Sequence, residues 1–185
     1  MKCRLCERDG SLRGIEARQR STPPFVAECQ REFIDALERE RAPEAVCDRL
    51  ERRLGDLRRG AVGPSDLVVT KRVSKPRAAY RQQTQVVRAL ERYEAHGLTR
   101  RPGQPVAYVV RNDGARRTSE RVRLAFELES AKRGEGRSVG YNVEWYRRTL
   151  IRACESVVSP RGWDRAAIRR YLDGRQTASL SAFVE

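Results

Sequence analysis

Apolar positions change their spacing several times along the chain, and each change marks an element. After "STPPF", with Ser21 or Thr22 as cap and Pro23 or Pro24 in the first turn, Val26, Cys29, Phe33 and Leu37 recur at helical intervals. Pro43 opens a second helix with the stripe Val46, Leu50, Leu54 and Leu57, ending near Gly60. The two are expected to pair antiparallel over residues 21–60. "AVGPSD" reads as a linker into the strand "DLVVTKRVSKP", which Pro76 ends by removing a donor and restricting Lys75. A third helix near residues 78–97 puts Val86, Leu90 and Tyr93 on one face and stops at Gly97. "PVAYVVR", the turn "NDG" and "ARRTSERVRLAFEL" predict a hairpin, so that strand, helix and hairpin fill 66–128.

The Gly-interrupted "SAKRGEGRSVG" reads as a polar loop. A long helix follows from the cap Asn142 through Tyr146, Leu150, Cys154 and Val157 to Pro160. A shorter one after Asp164 completes the helical stretch 142–173, with a tail after Gly174. At the other end "CRLCERDGSLRGIEARQR" predicts a hairpin around Asp9-Gly10. The expected fold class is α+β: helix-rich, with two small antiparallel strand clusters. The expected organisation is a hairpin over 1–20, one domain over 21–175 and a flexible tail over 176–185.

Charge changes the picture. The 185 residues hold 39 Lys plus Arg against 25 Asp plus Glu, a net charge of +14 and a pI near 10.4, and 39% are hydrophobic. Such an excess destabilises a compact chain by self-repulsion unless a polyanion offsets it, which makes nucleic acid the leading partner. No apolar run approaches the roughly 20 residues of a membrane span, and "MKCRLCERDG" lacks the apolar middle of a secretory signal. No membrane partner is expected, and the expected location is cytoplasmic. Five cysteines, an odd number, fit reduced thiols. Cys3 and Cys6 have ligand spacing, but Cys29, Cys47 and Cys154 are scattered through helical patterns. No metal site is assigned.

Chemistry would need a nucleophile with a base, paired carboxylates or a phosphate-cradling glycine loop. None is legible, and the acids mostly alternate with arginines at i,i+4 helical spacing. No catalytic residue or cofactor is assigned. The basic clusters weigh more: Arg13, Arg18 and Arg20 by the first hairpin, Lys71, Arg72 and Lys75 with Ser74 at the strand exit, and Arg116 and Arg117 at the second hairpin. Cations on rigid strand ends can meet phosphates with little loss of entropy, and phosphate contacts carry no sequence information. The inference is duplex binding without sequence preference.

The order of these elements and several strings resemble the thumb and C-terminal region of family B DNA polymerases, the archaeal ones most closely. "RGIEARQRS" is similar to the segment that leaves the palm for the first thumb helix. "LVVTKRVSKP" is similar to the family's strand ending in a basic or Thr residue and Pro, and "RPGQPVAYVVRNDG" to its Pro-Gly turn, strand and hairpin. "YNVEWYRRTLIRACESVVSPRGW" is similar to its "DxxYY" helix, with Asn142 and Trp145 in place of the Asp and first Tyr.

The resemblance implies that Lys71, Arg72 and Lys75 face the sugar-phosphate of a primer-template duplex. It also implies that the metal-binding carboxylates belong to a palm and the nucleotide-gripping lysine to fingers, neither of which is present in this chain. Magnesium would then bind the palm, and the chain alone would be inactive. A truncated polymerase, a separate thumb subunit and a gene remnant all satisfy this, and a palm-bearing polymerase chain is an expected partner. "RQTASLSAF" is similar to the family's clamp-binding tail, which makes Thr177, Leu180 and Phe183 candidate contacts to a sliding clamp. The alternative is a free-standing winged-helix regulator that reads bases through Gln82, Gln83 and Gln85.

Overall fold

The computed structural model describes residues 21–112, 115–116, 118–131 and 140–181, with the backbone alone at 118–119, 129–131 and 175–181. They form two compact units. Unit 1 comprises Val26–Arg58 and the chain from Tyr146 on; unit 2 comprises residues 21–25 and Arg59–Trp145. The predicted hairpin over 1–20 lies outside the described residues.

Unit 1 is helical. Helix α1 spans Pro24–Glu40 and α2 Pro43–Arg58. Pro24 and Pro43 each open a helix, where the missing N–H has no partner to lose. Arg41 turns the chain between them at φ 54°, its N–H donating to Leu37 O at 3.0 Å. The stripe Val46, Leu50, Leu54 and Leu57 is buried, as are Val26, Cys29 and Phe33 of α1. Arg49 reaches Glu40 at 3.5 Å, and Arg53 reaches Glu28 at 2.9 Å and also Glu32, an order that makes the two helices antiparallel.

Helix α5 spans Val143–Val158, and its cap is the predicted one: Trp145 N–H donates to Asn142 Oδ1 at 2.8 Å. Buried Gln30 of α1 donates to Ser156 Oγ at 2.8 Å and to Ala153 O at 3.3 Å, so this buried amide is satisfied while it fixes α1 against α5. Asp164 caps α6 through Ala167 N–H at 2.7 Å. Tyr171 of α6 donates to Asp48 of α2 at 2.9 Å. Helix α6 spans Arg165–Ser181 and runs on past Gly174, where the sequence predicts a tail. A single exposed glycine costs only about 1 kcal/mol in a helix, and no proline follows it.

Unit 2 is built on an antiparallel sheet in the order β1-β2-β3, with β1 Val69–Arg72, β2 Pro105–Val110 and β3 Val122–Leu124. Val69 pairs with Tyr108 and Tyr108 with Leu124, while Val110 pairs with Val122. Because paired residues share a face, these five side chains make one apolar surface, and all are buried. Helix α3, Gln85–Ala95, packs against β2 and β3. The predicted strand and hairpin are thus one sheet.

Three boundaries move. The first strand starts at Val69 because Pro64–Leu67 forms a 3-10 turn. Helix α3 starts at Gln85, with Thr84 Oγ1 accepting from Val87 N–H, because Arg77–Ala79 is a separate 3-10 turn after Pro76. Its buried face is Val87, Leu90 and Tyr93, with Val86 half-buried, and Gly97 ends it at φ 71° as expected. The segment read as the hairpin's second strand gives only three residues of β3 and then α4, Ala125–Ala131. Glu127 reaches back to accept Leu124 N–H at 2.6 Å, half of a capping box, which turns the chain into a helix where alternation ends.

Candidate nucleic-acid interface

Along β1 only Val69 is buried; Thr70, Lys71 and Arg72 are exposed, and Val73 dips back into the core. The side chains left outside line an open groove with Ser21 and Pro105. Two hydroxyls and two cations therefore share one concave surface. The neighbouring turn before β2 holds its edge. Val73 N–H donates to Gln104 O at 2.9 Å, Gly103 N–H to Val73 O at 2.7 Å, and Arg72 Nη1 to Gly103 O at 3.0 Å. Gly103 sits at φ 86°, a conformation that strains any residue with a Cβ. The Lys71 side chain makes no hydrogen bond or ion pair with another described residue.

The loop after β1 is organised by a residue the sequence reading passed over. Tyr80 Oη accepts Ser74 N–H at 3.1 Å and meets Ser74 Oγ at 3.1 Å, while Lys75 Nζ lies 5.0 Å from the Tyr80 ring centre. Burial pushes the Tyr80 phenol up, but the hydrogen bonds from Ser74 and the backbone, together with the Lys75 charge, outweigh it and leave the phenol below its ordinary value. Arg77 anchors the same loop to α3 through Glu91 at 3.1 Å and Glu94 at 2.9 Å. Ser74 and Lys75 are thus exposed yet held. An aromatic five residues beyond Lys75, across a proline, gives no periodic signal.

Lys71, Arg72, Ser74 and Lys75 come together at one end of the sheet, joined by exposed Arg101 from the adjoining turn. Arg116 does not join them. It lies beyond the far end of β2, in the connection between β2 and β3. Arg13, Arg18, Arg20, Arg117 and Phe183 fall outside the described residues, and Thr177 and Leu180 lie on the backbone of α6's last turns. Gln82 and Gln83 sit in the turn ahead of α3 rather than on a helix, which removes two of the three residues proposed to read bases.

Elsewhere, burial pushes the Cys29 thiol up to about 12, and Cys154 is raised by its hydrogen bond to Cys47 and by burial, so neither offers a thiolate. Glu127 accepts both contacts from Arg92 Nε, at 2.7 and 2.9 Å, and meets His96 Nε2 at 2.7 Å. Burial raises its carboxyl, but these bonds and Leu124 N–H hold it below the ordinary carboxylate range. Among the described residues no three His, Cys, Asp or Glu side chains gather to hold a metal. None of the described helices is long and apolar enough to cross a membrane.

No family profile and no curated protein matches the chain by sequence. Among solved structures, the family B DNA polymerase from the hyperthermophilic archaeon Pyrobaculum calidifontis is similar to it, with a TM-score of 0.61 and 19% identity over 74% of this chain. The match covers 18% of that polymerase chain. At this identity the likeness is one of fold: a helix-rich α+β chain folded like a part of a family B DNA polymerase.

Proposed function

We propose that the chain binds the sugar-phosphate backbone of duplex DNA without sequence preference, as the thumb-like part of a family B polymerase assembly. The groove of Ser21, Thr70, Lys71, Arg72 and Pro105 carries this reading, because it offers two hydroxyl donors and two cations at a rigid strand end. Lys71 and Arg72 neutralise phosphates, the hydroxyls donate to phosphate oxygens, and the clasped loop adds Ser74 and Lys75 without first having to be ordered. Any phosphoryl transfer would need magnesium held by the carboxylates of a palm-bearing partner chain. The end of the chain, Thr177 to Phe183, would engage a sliding clamp.

Fluorescence anisotropy with unrelated duplexes over a range of salt tests the reading. The expected result is a linear fall of log K with log salt, at about −0.9 per neutralised phosphate, with little difference between sequences. Replacing Lys71, Arg72 and Lys75 by Ala lowers affinity for every duplex alike and makes the slope shallower by up to about 2.7. A salt-independent affinity, or a triple variant that binds as tightly as the parent, overturns it.

A further inference from the structure

The cations beyond the far end of β2 form a second exposed cluster, and they are too far from the first to act with it on one phosphate. Arg111 follows β2 directly, and its N–H donates to Arg121 O at 2.9 Å, continuing the pairing of β2 with β3. Arg121 Nε in turn donates to Ala115 O at 2.6 Å, and Ala115 N–H to Asn112 O at 3.3 Å, so the backbone that carries Arg116 is tied to the sheet. Arg111 and Arg116 are exposed and make no side-chain hydrogen bond or ion pair with another described residue. Glu120, also exposed, is the acid of this stretch among the described residues.

The register sets the separation. Arg72 pairs with Pro105, and Arg111 lies six residues further along the same strand direction. At about 3.4 Å per residue the two ends are about 20 Å apart. That is more than twice the roughly 8 Å over which charges feel one another at physiological salt, so the clusters neither repel nor assist each other and bind anions independently. Their spacing matches about six base steps of a duplex at about 3.4 Å each, a little over half a helical turn. Across half a turn the backbone facing a flat surface passes from one strand to the other. Two cationic ends so spaced therefore meet phosphates of both strands on either side of one groove and leave its base edges untouched.

We infer that Arg111 and Arg116 are a second, independent backbone contact, and that unit 2 bridges a groove of duplex DNA over about six base pairs between them and Lys71 and Arg72. The inference rests on the duplex-binding reading and adds the footprint. A compact anion, or a duplex shorter than the span, can occupy only one end at a time.

The test uses the full chain and duplexes of 4 to 16 base pairs closed by an uncharged loop. For the parent, the salt slope steepens by about 1.8, two phosphates' worth, as length passes the span, and affinity rises at least tenfold. In Arg111→Ala/Arg116→Ala the step disappears while binding to the shortest duplexes stays within about twofold. Arg111→Lys/Arg116→Lys restores the step, since a phosphate contact needs charge rather than a forked donor. If the Ala variant keeps the step, the second contact is wrong and the duplex-binding reading stands. If single strands of equal length show the same step in the parent, the groove-bridging geometry is wrong. If the parent binds no duplex of any length, both readings fall.

Discussion

The two units manage charge in opposite ways. The described part of unit 1 has 15 Lys plus Arg against 12 Asp plus Glu; that of unit 2 has 14 against 7. In unit 1 the helices set arginines opposite acids: Arg53 lies among Glu28, Glu32 and Asp56, Arg49 meets Glu40, and Arg165 meets Glu155 at 3.1 Å. In unit 2 the acids are spent on α3 and its surroundings, where Glu91 and Glu94 hold Arg77 and Glu127 holds Arg92. At the strand ends the side chains of Lys71, Arg111 and Arg116 have no such partner among the described residues. The cations held by acids and the cations of the proposed duplex contacts are thus separated by position: mainly on or beside helix faces in the first case, at the ends of β1 and β2 in the second. Substitutions in the two groups are expected to act on different measurements.

The largest effect on stability belongs to a paired group. Glu127, with its side chain 11% exposed, satisfies Arg92, His96 and the Leu124 N–H together. Glu127→Ala leaves a half-buried guanidinium and a helix end without their acceptor and is expected to cost about 3 kcal/mol in denaturant unfolding. The carboxyl lies below its ordinary value because the bonds to Arg92, Leu124 and His96 outweigh the burial that raises it. A group depressed by folding contributes stability that is complete above its unfolded value, about 4.3 for Glu, and is lost as pH falls through its folded value. The parent should therefore lose this increment in acid, and Glu127→Gln should show a flatter acid limb. An unchanged limb would mean that another carboxylate governs the acid transition.

A smaller loss is expected in unit 1. Arg53 is raised above its ordinary value first by its hydrogen bond to Glu32, with burial opposing, and its side chain is 25% exposed. Arg53→Ala leaves Glu28, Glu32 and Asp56 clustered without their cation. The cost should be about 1–2 kcal/mol, more than an exposed surface pair and less than a buried one, and it should shrink in high salt. Duplex binding should be unchanged. A variant that loses duplex affinity without losing stability would erase the distinction between the two kinds of cation.

Local signals were legible in the sequence because their physics is local. Asn142 and Asp164 cap the helices after them, Pro43 opens α2, and Gly97 closes α3, each through atoms within a few residues. The strand-exit cations were legible for the same reason, since the apolar run Leu67 to Val69 gives way to Lys71 and Arg72 and then meets Pro76. What pairing decides was not legible. Joining β1 to β2 brings Arg101 beside Arg72, and the length of β2 carries Arg116 away from both; neither fact has a sequence period. Glu127's reach back to Leu124 is local, but the Arg92 and His96 side chains that also hold its carboxylate come from α3 and its C-terminal cap, more than thirty residues away.

The smallest expected effect falls on Tyr80, the residue that makes the open cluster orderly. Tyr80→Phe removes the hydroxyl shared with Ser74 N–H and Oγ but keeps the ring under Lys75. Those bonds are largely exposed, so their loss should cost only about 0.5 kcal/mol of stability, the low end for a hydrogen bond. Arg77 still ties the loop to Glu91 and Glu94, so the loop loosens without detaching. Binding must then order Ser74 and Lys75 afresh, which should weaken duplex affinity by about twofold to threefold, within the usual entropy of fixing one long side chain. No charge is removed, so the salt slope should not change, in contrast to the loss expected when Lys75 itself is replaced. Tyr80→Leu should weaken binding further, because the cation loses its ring as well. If Tyr80→Phe binds with the parent's affinity, the order of the loop comes from Arg77 alone, and Arg77→Ala should then produce the loss that the tyrosine did not.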